Sequence, residues 1–128
     1  MLSESKKKEI RVLLKVSPVL IIGEDVESFK NATILEPTIE NKDLHVYEDP
    51  KGLIVPSWLK AIEKGKASKL IIIKNIDEVP EVEQNKFYEM LKYKSIGSYA
   101  MPESVKIIVI AKQDKNVSEL IRRLCLVV

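Results

Sequence analysis

The chain of 128 residues has one cysteine, one histidine and two glutamines, and it has no long apolar run. Each scarcity closes off a class of chemistry. With Cys125 alone, no intrachain disulfide can form, and a zinc site built from several cysteines is excluded. A single thiol fits a reducing compartment. With His45 alone, a Ser-His-Asp system would have to run through it. Nothing around it has the form of a nucleophile elbow, so His45 reads as a structural or surface residue carried on a strand. A membrane helix needs about 18 apolar residues in a row. None is present and no signal peptide is visible, so a cytoplasmic location without membrane attachment is expected. Few glutamines among many Lys, Glu and Ile lean toward a thermophilic composition. An excess of charge is also lacking. The 21 basic and 19 acidic residues leave +2, too even to argue for nucleic acid on charge alone. The one local excess, "SESKKKEIR", is a solvated helix start or, in the other reading, an anionic contact.

What is present suits a single domain over 1–128. A chain of this length buries about two-thirds of its unfolded surface and needs no covalent staple. Ser3 or Ser5 caps an amphipathic helix over 3–16, with Ile10, Leu13 and Leu14 as its apolar stripe and Pro18 as its stop. "VLII" (19–22) is a buried strand that turns at Gly23, and "DVESFKNA" is a short helix. Residues 33–43 have no period, and "LHVYE" (44–48) is the second strand. A turn at "DPKG" leads to a helix over 55–65, ended by Gly65. Leu70–Ile73 is a third strand, apolar on both faces, and residues 80–94 form one strong helix with Val82, Phe87, Met90 and Leu91 inward. A hairpin, a strand over 105–111, a helix over 116–124 and a closing strand "CLVV" complete the order. Strands alternating with helices predict a three-layer, doubly wound, mainly parallel five-stranded sheet. Ligands of such sheets sit at the carboxyl ends of the strands, here Gly23–Glu24, Lys74–Asn75 and Lys112–Gln113.

The stretch "LIIIKNIDEVPEVEQNKFYEMLKYKSIGSYAMPESVKIIVIA" resembles the AAA+ ATPase core of the P-loop NTPase fold, and most its MoxR-type branch. Ile76-Asp77, Pro80, Gln84-Asn85, Gly97, Tyr99, Pro102-Glu103 and the strand to Ala111 follow that branch's order without gaps, and "SELIRRLCLVV" resembles the segment with the arginine finger. The likeness covers roughly residues 17–128 and is specific over 69–111. It implies ATP and magnesium as cofactors, a Walker B Asp-Glu directly after the apolar strand, a polar sensor near Lys112, Gln113 or Asp114, and Arg123, or Arg122, at the finger.

The residues at those positions are of the wrong kind. Lys74 and Asn75 stand where the Walker B acids belong, and Asp77-Glu78 come three residues late. An ammonium repels magnesium, and an amide is no base for the attacking water. In "GEDVESFK" Gly23 is kept, Ser28 replaces the second glycine and Phe29 the lysine, with Lys30 one residue late. Glu24, Asp25 and Glu27 set negative charge where phosphates would lie. The helical lid that follows this core in the family is expected to be absent, with the sequence running to Val128. The expectation is a domain with no catalytic residues, no metal and no cofactor, acting through a protein partner as a monomer or small dimer. Lys74, as a strand-end cation, is expected to pair with Glu24 or Asp25. Two other readings are a weak ATP binder using Gly23, Lys30, Asp77 and Glu78, and a nucleic-acid accessory factor, resembling inactive clamp-loader subunits, that uses Lys92, Tyr93, Lys94 and Tyr99.

Overall fold

The computed structural model describes residues 2–128. Helix α1 (Glu4–Leu13) begins at Ser3, whose side chain accepts from the Lys6 amide at 3.1 Å. Strand β1 (Val19–Ile22) follows, then a single 3-10 turn over Val26–Ser28, then β2 (Thr33–Leu35). A hairpin of β3 (Tyr47–Asp49) and β4 (Gly52–Ile54) leads to α2 (Ser57–Glu63) and β5 (Leu70–Ile73). Next come α3 (Glu81–Gln84) and α4 (Tyr88–Tyr93), the small hairpin β6 (Ser95–Ile96) and β7 (Tyr99–Ala100), β8 (Lys106–Ala111), α5 (Glu119–Leu124) and β9 (Leu126–Val127).

Five strands form the central sheet in the order β2-β5-β8-β1-β9, and every ladder in it is parallel. The apolar runs at β5 and β8 are central because both of their faces are covered, which is what a parallel sheet requires. Successive side chains point to opposite faces. Leu20, Ile71, Ile73, Ile107 and Val109 pack with Leu59, Ile62, Phe87, Met90 and Ile121 of the helical layer. Val19, Ile21, Ile72, Ile108 and Ile110 point the other way, onto Ile10 and Leu14.

That second face shows how the sequence departs from an ordinary crossover. A parallel connection normally lays a helix across the sheet. Between β1 and β2 the chain supplies only the turn at Val26–Ser28, so the helix expected from "DVESFKNA" does not form. Aspartate, serine and asparagine in that stretch favour local caps over helix interior. Helix α1 covers the face instead, helped by Val26, Phe29 and Ala32.

Two further expectations are corrected. The second sheet strand is Thr33–Leu35, not residues 44–48; the latter run through a 3-10 turn (Asn41–Leu44) into β3, which pairs only with β4. The segment 80–94 is not one helix either. A 3-10 turn at Asn85–Phe87 separates α3 from α4, and the shift in phase leaves Val82 77% exposed while Gln84 is fully buried. Among the described residues no helix is long and apolar enough to cross a membrane.

Cys125 is buried at the start of the closing strand, and burial pushes its thiol up to about 12. Its thiolate is a minute fraction at pH 8, and only the thiolate reacts. A disulfide reagent at pH 8 is expected to leave native Cys125 unmodified and to label it at once in denaturant. Rapid labelling of the folded chain would contradict this packing.

Candidate functional site

The carboxyl ends of β1, β5 and β8 lie along one edge of the sheet, with β8 between the other two. At β1 the chain leaves through Gly23, whose φ of +84° suits glycine and whose amide donates to the Ala111 carbonyl at 2.8 Å. The following loop is closed by its own acids. Asp25 Oδ1 accepts from the Glu27 amide at 3.0 Å, and Glu24 Oε2 accepts from the Ser28 hydroxyl at 3.0 Å. Glu24, Asp25, Glu27 and Ser28 line a small hollow of about 150 Å³. Lys30 is not part of it. It lines a groove against α1 together with Lys7, Arg11 and Phe29.

At β5, Lys74 is partly buried and its Nζ stands 3.1 Å from Glu36 Oε1. The predicted partners, Glu24 and Asp25, are replaced by Glu36 for a topological reason. Strand β2 is the direct neighbour of β5, with Leu35 opposite Ile73, whereas β8 separates β5 from β1. A strand-end lysine finds the acid one residue past the adjacent strand. Asn75 adopts the left-handed conformation, φ 50° and ψ 46°, which asparagine tolerates better than most residues. This reverses the chain into the 3-10 turn Ile76–Glu78, pinned by buried Ile76.

The turn brings Asp77 against the end of β8. Its Oδ1 accepts from the Lys112 amide at 2.9 Å and its Oδ2 from the Gln113 amide at 3.1 Å. Beside it the Lys112 ammonium stands 2.7 Å from Glu78 Oε1, and that bond and charge hold the lysine above its ordinary value. Asp77 and Glu78 also border a cleft of about 410 Å³ that includes Pro80, Lys115 and Ser118. Among the described residues no three His, Cys, Asp or Glu side chains stand together as a metal-holding group.

A buried polar lock lies behind this cleft. Gln84 Nε2 donates to the Val79 carbonyl at 3.0 Å and to the Asn116 carbonyl at 2.6 Å, and its Oε1 accepts from the Ser118 amide at 2.7 Å. The Ser118 hydroxyl donates to Asn85 Oδ1 at 2.7 Å and caps α5. Gln84-Asn85 therefore joins α3 to the start of α5. At the far end of α5, Arg123 is exposed and stands 3.3 Å from Glu119, while Arg122 binds Asp114. Sequence reasoning missed Glu36 and Ser118. Each pairs with a residue far away in the chain, which no local signal announces, although Ser118 directly before "ELIRRL" is readable as a helix cap.

The basic and aromatic residues near the β6–β7 hairpin divide. The Tyr99 hydroxyl donates to Glu63 at the end of α2 and is held above its ordinary value by that bond. Lys92, Tyr93 and Lys94 remain together at the opposite end of the sheet from Asp77, around the start of β8.

No protein-family model matches the chain, and no curated protein matches it in sequence. Solved structures match it in fold. One is a crystal structure at 2.00 Å of a candidate ATPase from Cytophaga hutchinsonii, similar over 97% of this chain at 12% identity with a TM-score of 0.56. The match takes up 46% of that protein, so the chain spans just under half its length. With the all-parallel order β2-β5-β8-β1-β9 and helices on both faces, the chain has a three-layer α/β fold that is P-loop NTPase-like.

Proposed function

We propose that the chain is a non-catalytic AAA+-like domain, related through its motifs to the MoxR-type branch, which acts through protein contacts and does not hydrolyse ATP. One observation carries the reading. Both oxygens of Asp77 are engaged by the backbone amides of Lys112 and Gln113, and Glu78 is engaged by the Lys112 ammonium. These two amides fix the Asp77 carboxylate at the end of the central strand, and the charge of Glu78 is already balanced by the Lys112 ammonium. The exchange of groups elsewhere agrees. Lys74 is paired with Glu36, and the loop after β1 places Asp25 on an amide that would otherwise face a phosphate. The β3–β4 hairpin supports a role in contacts. Tyr47, Leu53 and Ile54 are exposed there on a two-stranded ribbon outside the main sheet.

A calorimetric titration with ATP and magnesium separates this from the reading in which Gly23, Lys30, Asp77 and Glu78 hold nucleotide. No heat of binding and no turnover above background are expected. Light scattering is expected to give a monomer or small dimer with or without ATP. Turnover abolished by Asp77→Ala or Glu78→Ala, or an ATP-induced ring, would overturn the proposal.

A further inference from the structure

The amino-terminal edge of the sheet, opposite the edge just described, holds a cleft of about 230 Å³. It is walled by Lys15 and Val16 after α1, by Lys92, Tyr93 and Lys94 at the end of α4, and by Lys106 at the start of β8. Four lysines line it and no carboxylate does. In a chain of nearly balanced charge this segregation is informative. Among the described residues none of the four cleft lysines has an acid within 4 Å. Lys94 is partly buried, donates to the Glu103 carbonyl at 2.9 Å, and is held below its ordinary value first by burial and then by the charge of Lys106, against the opposing charge of Glu103. Like charges gathered around a concavity cost stability unless an outside anion completes them.

The aromatic groups narrow the ligand. Lys92 Nζ lies 5.4 Å from the ring centres of both Tyr88 and Tyr93, which meet edge to face at 6.3 Å. Tyr93 is 63% exposed beside the lysines. A tyrosine ring open to solvent next to ammonium groups suits a base over the ring and phosphates over the cations. No arginine lines the cleft, so the planar fork that grips a single phosphate or carboxylate in two places is missing. Lysines act as point charges and suit a repeating backbone, and the concave shape does not suit a flat bilayer.

We propose that this cleft binds the sugar–phosphate backbone of a single-stranded nucleic acid without sequence preference, with Tyr93 as the stacking platform. The site is independent of the edge that carries Asp77, and its occupation does not depend on whether that edge is catalytic.

The test is fluorescence anisotropy with a labelled oligothymidine of about 12 nucleotides, across a series of salt concentrations. Saturable binding is expected, with log K falling as log salt rises. Each of Lys15→Ala and Lys106→Ala is expected to flatten that slope by about 0.7. Tyr93→Ala is expected to weaken binding about tenfold at fixed salt while Tyr93→Phe retains it. Lys94→Gly guards against misfolding as an explanation. Lys94 has a left-handed backbone, φ +54°, that glycine adopts more readily, so this variant should fold well and still bind more weakly. Lys51→Glu, in the β3–β4 turn, supplies a charge change away from the cleft and should leave binding unchanged. No saturable binding to the strand would overturn the proposal. So would equal binding of inorganic polyphosphate with no loss in Tyr93→Ala, tighter binding of a phosphopeptide, or an effect of Lys51→Glu equal to that of Lys106→Ala.

Discussion

Replacing Gln84 with leucine is expected to lower the free energy of unfolding by about 3–5 kcal/mol, a large share of the roughly 5–15 kcal/mol of a typical domain. The two side chains are of similar volume, so packing changes little. The hydrogen bonds account for the effect. Gln84 is fully buried and satisfies the carbonyls of Val79 and Asn116 and the amide of Ser118. Leucine leaves all three backbone groups without that partner, each costing about 1–3 kcal/mol where water cannot reach. Gln84→Glu should be similarly damaging, because a carboxylate would meet the two carbonyls that now accept from the amide. The measurement is the midpoint of urea unfolding at unchanged slope. A loss under about 1 kcal/mol would mean that the lock joining α3 to α5 is replaced by water.

Ile10→Asp is expected to abolish cooperative folding. Ile10 is 1% exposed on α1 and packs over the sheet face made by Val19, Ile21, Ile72, Ile108 and Ile110. A carboxylate there would be buried without a partner, at a cost of several kcal/mol. The paired substitution is Val12→Asp. Val12 lies on the same helix but is 61% exposed, and its change should stay within about 0.5–1 kcal/mol. Circular dichroism with temperature compares the two. If Ile10→Asp melted like Val12→Asp, α1 would be an appendage and not the cover of the sheet.

Much of the frame is legible in the chain, for a physical reason. Strands β1, β5 and β8 are buried on both faces, so they appear as continuous apolar runs that no local turn chemistry contradicts. The edge strand β2 is only three residues long with Ile34 exposed, and it carries no such run. "LHVYE" has the alternation of a strand, but alternation does not say which sheet a strand joins. At the candidate site, Lys74, Asn75 and Asp77 at the end of an apolar run are visible in the letters. Their partners are not. That Lys74 meets Glu36, and that Asp77 caps the end of β8, follow from strand order, which pairing between distant segments decides. Gln84 shows the same limit. Its type suggests a surface residue, and only the contacts between α3 and α5 make it a buried one.

The position of β1 in the sheet also sets the order in which the molecule can be made. Val19 lies opposite Ile108 on one side and Leu126 on the other, so both ladders of β1 await segments near the far end of the sequence. During synthesis β2 and β5 can pair early, while β1 has no strand to pair with until β8 has emerged. The apolar strand Val19–Ile22 thus has no ladder partner until Lys106–Ala111 is made, and its closure joins segments far apart in the sequence. Such topologies fold slowly, because the entropy of closing a long loop is lost before the contact that offsets it forms.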